Sequence, residues 1–157
     1  MMDDVTIDVE AISSAGAMSL FLAAVDELDR RYGSDDAERM SPDELSSPHG
    51  VFVVARVRGA LAGGVGMRPI GEPSQHFGEV KRLWVRPDLR RGGVGKALMG
   101  HLEHCARGRD VHQLFLETGT KQPEAIALYR SSGWRQVDDF PSGAFTHEGA
   151  LRFTKVL

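Results

Sequence analysis

Residues 89–102 read LRRGGVGKALMGHL, with two arginines and three glycines directly ahead of a helical pattern. Glycines in such a place let a backbone come close to a ligand. First-turn amides of a helix have no partners inside the helix, and the positive end of the helix dipole adds to them, so the segment has the makings of a phosphate seat. Gly93 and Gly95 remove side chains where a pyrophosphate would lie against the chain. Arg90, Arg91 and Lys96 supply charge-assisted hydrogen bonds. Two other phosphate motifs do not fit. A P-loop with Gly95-Lys96 as its GK pair needs a glycine at 90 and a hydroxyl at 97, where the chain has Arg90 and Ala97. A dinucleotide fingerprint started at Gly93 and Gly95 would close at residue 98, which is Leu98.

The elements that must position this loop follow from the hydrophobic pattern. DVTIDVE (4–10) alternates apolar and polar residues as a short strand does. After Ser13 or Ser14 as cap, Met18, Leu22, Val25 and Leu28 fall at helical spacing. Residues 33–49 are polar and broken by Pro42 and Pro48, a loop with room for one short helical turn. Residues 51–57 and 60–68 flank Arg58-Gly59 as a hairpin, and Gly63, Gly64 and Gly66 weaken or bulge its second strand. Residues 78–85 form a further strand, closed by Arg86-Pro87. From Val94 a helical period runs to Gly108, and 111–118 is a compact apolar strand. Residues 122–133 form a helix with proline in its first turn and glycine at its end. WRQVDDF and ALRFTKVL read as two last strands bracketing a loop at 140–149. The strand–helix–strand unit 78–118 is long enough for a parallel crossover. An α/β domain with a mixed sheet of about seven strands follows.

Arg90-x-x-Gly93-x-Gly95 resembles the pyrophosphate-binding pattern of the GNAT superfamily of N-acetyltransferases. The resemblance spans EVKRLWVRPDLRRGGVGKAL and LFLETGTKQPEAIALYRSSGW, within residues 79–134 or about a third of the chain. The second block is similar to the family's strand–loop–helix that ends A-x-x-L-Y-x-x-x-G-[FW]. The resemblance implies a single N-acetyltransferase domain over 1–157, with acetyl-CoA held between two splayed parallel strands, here 79–85 and 111–118. It implies that Leu83, Trp84 and Val85 pair with the pantetheine arm and that Arg90, Arg91, Gly92, Gly93, Val94, Gly95 and Lys96 hold the pyrophosphate. Gln122 stands where the family often has a cofactor-contacting asparagine. Tyr129 matches the tyrosine beside the cofactor sulfur, a donor to the departing thiolate. Glu79 and Glu117 match glutamates of two branches and compete for the role of general base, with Glu79 narrowly preferred. The acceptor is a primary amine, small or peptidic. Many members dimerise, although the sequence locates no interface. A module that binds acyl-CoA without catalysis is the alternative, and it would be expected to lack the acid and base positions.

Composition narrows the rest. Lysines and arginines number 19 against 22 acidic residues, so no global basic field attracts nucleic acid or an anionic membrane. The one cysteine, Cys105, falls on an apolar helical stripe, which suits a core residue in a reducing compartment. No transmembrane run or basic-then-apolar leader is present, so a cytoplasmic protein is expected. His101 and His104 lie three apart on a helix but find no third ligand, and no metal is expected. Asp35, Asp36, Glu38, Asp43 and Glu44 on one loop, with Asp138, Asp139 and Glu148 on another, would wall an acceptor site suited to a cationic amine.

Overall fold

A computed structural model describes residues 4–33, 40–141 and 149–157. β1 (Val5–Val9) leads to α1 (Ala15–Tyr32), whose N-cap Ser14 accepts the amide of Ala17 at 3.2 Å. The expected turn is present among the described residues as a 3-10 turn, Pro42–Leu45, closed by a reciprocal cap between Ser41 and Glu44. β2 (Val51–Val57) and β3 (Ala60–Ile70) form the hairpin, and β4 (Phe77–Val85) follows. Next come α2 (Val94–Gly108), β5 (Gln113–Thr118), α3 (Pro123–Ser131), β6 (Arg135–Val137) and β7 (Leu151–Val156). The strand expected over 134–140 is shorter than its pattern. Trp134 turns into the core, and the paired aspartates 138 and 139, poor strand formers, fall outside β6.

The seven strands make one mixed sheet in the order β1-β2-β3-β4-β5-β7-β6. Only β4 and β5 run parallel, joined through α2. Alternation along β2 shows how both faces are filled. Val51, Val53 and Ala55 pack with Met67, Leu98, Leu102, Leu114 and Phe153 on the α2 face. Phe52 and Val54 pack with Leu20, Phe21 and Leu45 on the α1 face. The glycines of β3 make room there: a Cβ on Gly64 would stand 2.8 Å from the Phe52 ring, and one on Gly66 2.6 Å from Leu45.

The expected bulge in β3 is present, since Ala55 pairs with Gly63 and Arg56 with Leu61 and Ala62 is the extra residue. A second bulge falls on β4. Gly64 pairs with Trp84 and Gly66 with Lys81, so two steps on β3 face three on β4. Arg82 takes up the excess in the left-handed region at φ 61°. Such a bulge bends its strand. β4 is bonded to β5 only by the register Phe77–Gln113, Gly78–Leu114 and Glu79–Phe115, and then the two strands part.

Candidate active site

The parting strands open a cleft of about 660 Å³. Leu83, Trp84 and Val85 line one lip, and their β5-facing backbone edge has no strand partner among the described residues. An unpaired edge of this kind accepts an extended chain that carries amides. Gln122, Ala125 and Leu128 line the other lip, from the start and flank of α3. One buried polar group on the lip, the Trp84 indole N–H, has no hydrogen-bond partner among the described residues. Since buried polar groups are nearly always bonded, this orphan donor fits a ligand that brings a carbonyl or other acceptor.

The base of the cleft is the loop that opened the sequence argument. Arg91 and Gly93 are both left-handed, at φ 66° and 92°, which swings the chain into α2. No side chain caps this fifteen-residue helix, so its first amides remain available to an anion. Arg91, Gly93, Gly95 and Lys96 line the cleft there. Gly92 and Val94 instead border a separate hollow of about 150 Å³, and the Val94 side chain packs in the core. They offer the cleft no side chain. Arg90 also lines the cleft but is already engaged. Its Nε donates to the Val85 carbonyl at 2.8 Å and its Nη2 to Glu27 on α1 at 2.6 Å.

Glu79 and Glu117 both point to the α1 face, because Glu79 is in register with Phe115, two residues before Glu117 on the same strand. Glu79 is 1% exposed and lies within the paired part of β4 and β5. Arg68 from β3 donates to its Oε1 through Nε at 3.1 Å and Nη2 at 2.9 Å, and Lys81 lies 3.7 Å from Oε2. Glu117 lies beyond the last paired residue, with Arg152 of β7 donating to it at 3.2 Å. Tyr129 sits on the opposite face, its ring against Trp134 and Phe153. Burial pushes its phenol pKa well above the ordinary tyrosine value.

Several functional neighbours have no signature in the sequence. Glu27 and Arg31 line the cleft from α1, Tyr32 bonds the cleft-lining Gln122, and the Arg68–Glu79 pair follows from strand register alone. Of the acidic walls, Glu44 accepts from Arg68 at 2.9 Å, while Asp43, Asp138 and Asp139 are exposed. Asp35, Asp36, Glu38 and Glu148 lie outside the described residues. His101 and His104 stand with ring centroids 6.3 Å apart. Among the described residues one other group brings candidate metal-ligand atoms together, His76, Asp110 and His112. It lies where β4 and β5 begin, at the end of the pair remote from the cleft. Its side chains bond one another and its histidine rings stack at 4.4 Å, as a surface polar cluster does. No helix among the described residues is long and apolar enough to cross a membrane.

Residues 21–134 match the model of the acetyltransferase (GNAT) family. The chain is 34% identical over 148 residues to an IAA acetyltransferase of Azospirillum brasilense, covering 92% of each chain. It superposes with a TM-score of 0.77 on a putative acyl-CoA N-acyltransferase from Klebsiella pneumoniae, at 28% identity and covering 98% of this chain and 97% of that one. It also shares its fold with the PaiA N-acetyltransferase of Thermoplasma acidophilum, solved in complex with coenzyme A, with a TM-score of 0.72 at 16% identity over 98% and 99% of the two chains.

Proposed function

The chain belongs to the acetyltransferase (GNAT) family and is an N-acetyltransferase, and from that premise we propose that it joins acetyl-CoA and a primary amine in a ternary complex for direct transfer. The observation that carries this reading is the unpaired edge of Leu83–Val85 lying beside the uncapped start of α2. One feature suits an extended amide arm and the other suits its pyrophosphate. A module that only holds acyl-CoA is not favoured, since the chain matches an acetyltransferase over 92% of that protein's length.

Acetyl-CoA when bound supplies an activated thioester; orientation and proton movement fall to the chain. Backbone amides at the start of α2, with Arg91 and Lys96, would hold the pyrophosphate. Arg90 ties the end of β4 to Glu27 and so shapes the loop, with phosphate contact available only in competition with Glu27. Backbone N–H groups of Leu83–Val85 would anchor the arm and face developing oxyanion charge. Tyr129, next to the cleft-lining Leu128 on α3, keeps its proton, and its hydroxyl can donate it, as thiolate departure requires.

For the base we favour Glu117 over Glu79. Glu79 is the buried counter-ion of Arg68, beneath paired strands, whereas Glu117 lies where the strands have separated. The acceptor class is decided by a screen that follows free thiol release from acetyl-CoA with pooled small amines, amino acids, and peptides bearing lysine or a free N-terminus. Release with one pool is expected. Gly95→Asp, which sets a carboxylate where phosphate belongs, should abolish CoA binding while the fold persists, since a Cβ there meets only the tip of Leu128, at 3.3 Å, and Val85, at 3.7 Å. Unchanged CoA affinity in that variant would overturn the cofactor site.

A further inference from the structure

The strands that bound the cleft do not set its width. β4 and β5 are bonded only as far as Glu79 and Phe115, and no described strand pairing joins the lips beyond that point. The C-terminal part of α1 crosses the gap instead. On the phosphate-loop side, Glu27 accepts from Arg90 at 2.6 Å and pairs with Arg31 at 3.4 Å. On the side of the β5–α3 loop, Arg31 donates to the Lys121 carbonyl at 2.6 Å, and the Lys121 ammonium returns to the Arg31 carbonyl at 3.3 Å. The Tyr32 hydroxyl then accepts the Lys121 backbone amide at 2.9 Å and the Gln122 side-chain amide at 3.5 Å.

Gly119 shows how closely this contact is fitted. A Cβ on it would stand 2.1 Å from the Tyr32 hydroxyl oxygen and 2.3 Å from the ring carbon that bears it. Its backbone is not left-handed, so the requirement for glycine is room for the phenol and not conformational freedom. Both residues are part-exposed and the atoms struck are the tip of a side chain, so an alanine there would push the phenol off its seat. Gln122 lines the cleft and is the N-cap of α3, so whatever holds residues 119–122 also aims that helix, whose Ala125 and Leu128 line the same lip.

We propose that Tyr32 is a positioning residue for the cofactor cleft. Seated over Gly119, it fixes Lys121, Gln122 and the start of α3, and with the Arg31 and Glu27 contacts it holds the two lips at the separation that admits the arm of CoA. This rests on the cofactor site assigned above.

The test is a double-mutant cycle read as CoA affinity by calorimetry, with thermal melts alongside. Gly119→Ala is expected to weaken CoA binding about tenfold, whereas in a Tyr32→Ala background the same change should cost less than about twofold, because the phenol it strikes is gone. Tyr32→Phe keeps the ring and removes the acceptor of the Lys121 amide. It should raise KM for acetyl-CoA several-fold with kcat at saturation retained. A clasp that merely stabilised the fold would lower the melting temperature and leave CoA affinity unchanged, and that result overturns the proposal. So does an equal cost of Gly119→Ala in both backgrounds. Should Gly119→Ala fail to fold, wild-type CoA affinity in both Tyr32→Phe and Tyr32→Ala overturns it as well. Absence of CoA binding by the unaltered protein would overturn the cofactor site and this proposal together, while binding without coupling overturns this proposal alone.

Discussion

Tyr129 lies where its proton is hard to remove, between Trp134 and Phe153 in the core. An acid with a raised pKa stays loaded throughout the ordinary assay range, so no descending limb of a pH–rate profile should come from it. Tyr129→Phe should fold and bind CoA but lose roughly ten- to a thousandfold in turnover, if proton donation is its work; wild-type turnover would reduce it to packing. The same burial has a stability consequence. Above about pH 10 the unfolded chain ionises tyrosine while the folded chain keeps Tyr129 neutral, so stability should fall as pH rises past that value. The glutamates separate by a different measurement. Removing the Glu79 charge leaves Arg68, 10% exposed, with the Glu44 carboxylate at 2.9 Å as its counter-ion, so Glu79→Gln should lower stability by about 1–3 kcal/mol and keep the acidic limb of the rate profile. Glu117→Gln, which removes the 8%-exposed carboxylate that Arg152 bonds at 3.2 Å, should cost a comparable amount of stability but lose both turnover and that limb. The opposite pattern returns the base to Glu79, and two wild-type profiles would mean that the amine arrives already neutral.

At the scale of elements, what could be read in the sequence was what repeats locally. The periods of α2 and α3, the hairpin at Arg58-Gly59, and the run Arg90–Lys96 all carry their signal within a few residues. The splay was reached only through family resemblance, because its local cause is a left-handed arginine, Arg82, in a stretch that reads as ordinary strand. The role of α1 was not legible either: Tyr32 and Gly119 are far apart in sequence, and neither residue type announces the other. The β3 glycines signal the bulge that falls at Ala62, beside Gly63, but not their second task, which is to admit Phe52 and Leu45 at Gly64 and Gly66. Gly66→Val tests this. Its Cβ would meet a fully buried Leu45, so a loss of about 1–3 kcal/mol in chemical denaturation is expected. An unchanged midpoint would show that Leu45 repacks freely.

The whole molecule is a sheet in two parts, β1–β4 and β5-β7-β6, sewn together over three residue pairs and bridged by helices on both faces. A ligand that lies along the seam and binds only the folded state should stabilise both parts at once, by about 2.7 kcal/mol at a hundredfold excess over its Kd. Melting with and without CoA checks this, and a ligand-independent midpoint would argue that the seam is not where it binds. The seam also has a darker side. An unpaired strand edge is the template on which misassembled chains grow, and most sheets confine such edges to their margins, where charge or a bulge blunts them. Here the parting of β4 from β5 places one in the middle of the sheet, at Leu83–Val85, where among the described residues the Arg90 side chain on the Val85 carbonyl and the end of α1 stand over it. Conditions that loosen α1 before the rest of the fold would therefore expose an adhesive edge, and a cell short of cofactor would hold a protein more prone to self-association than its overall stability implies.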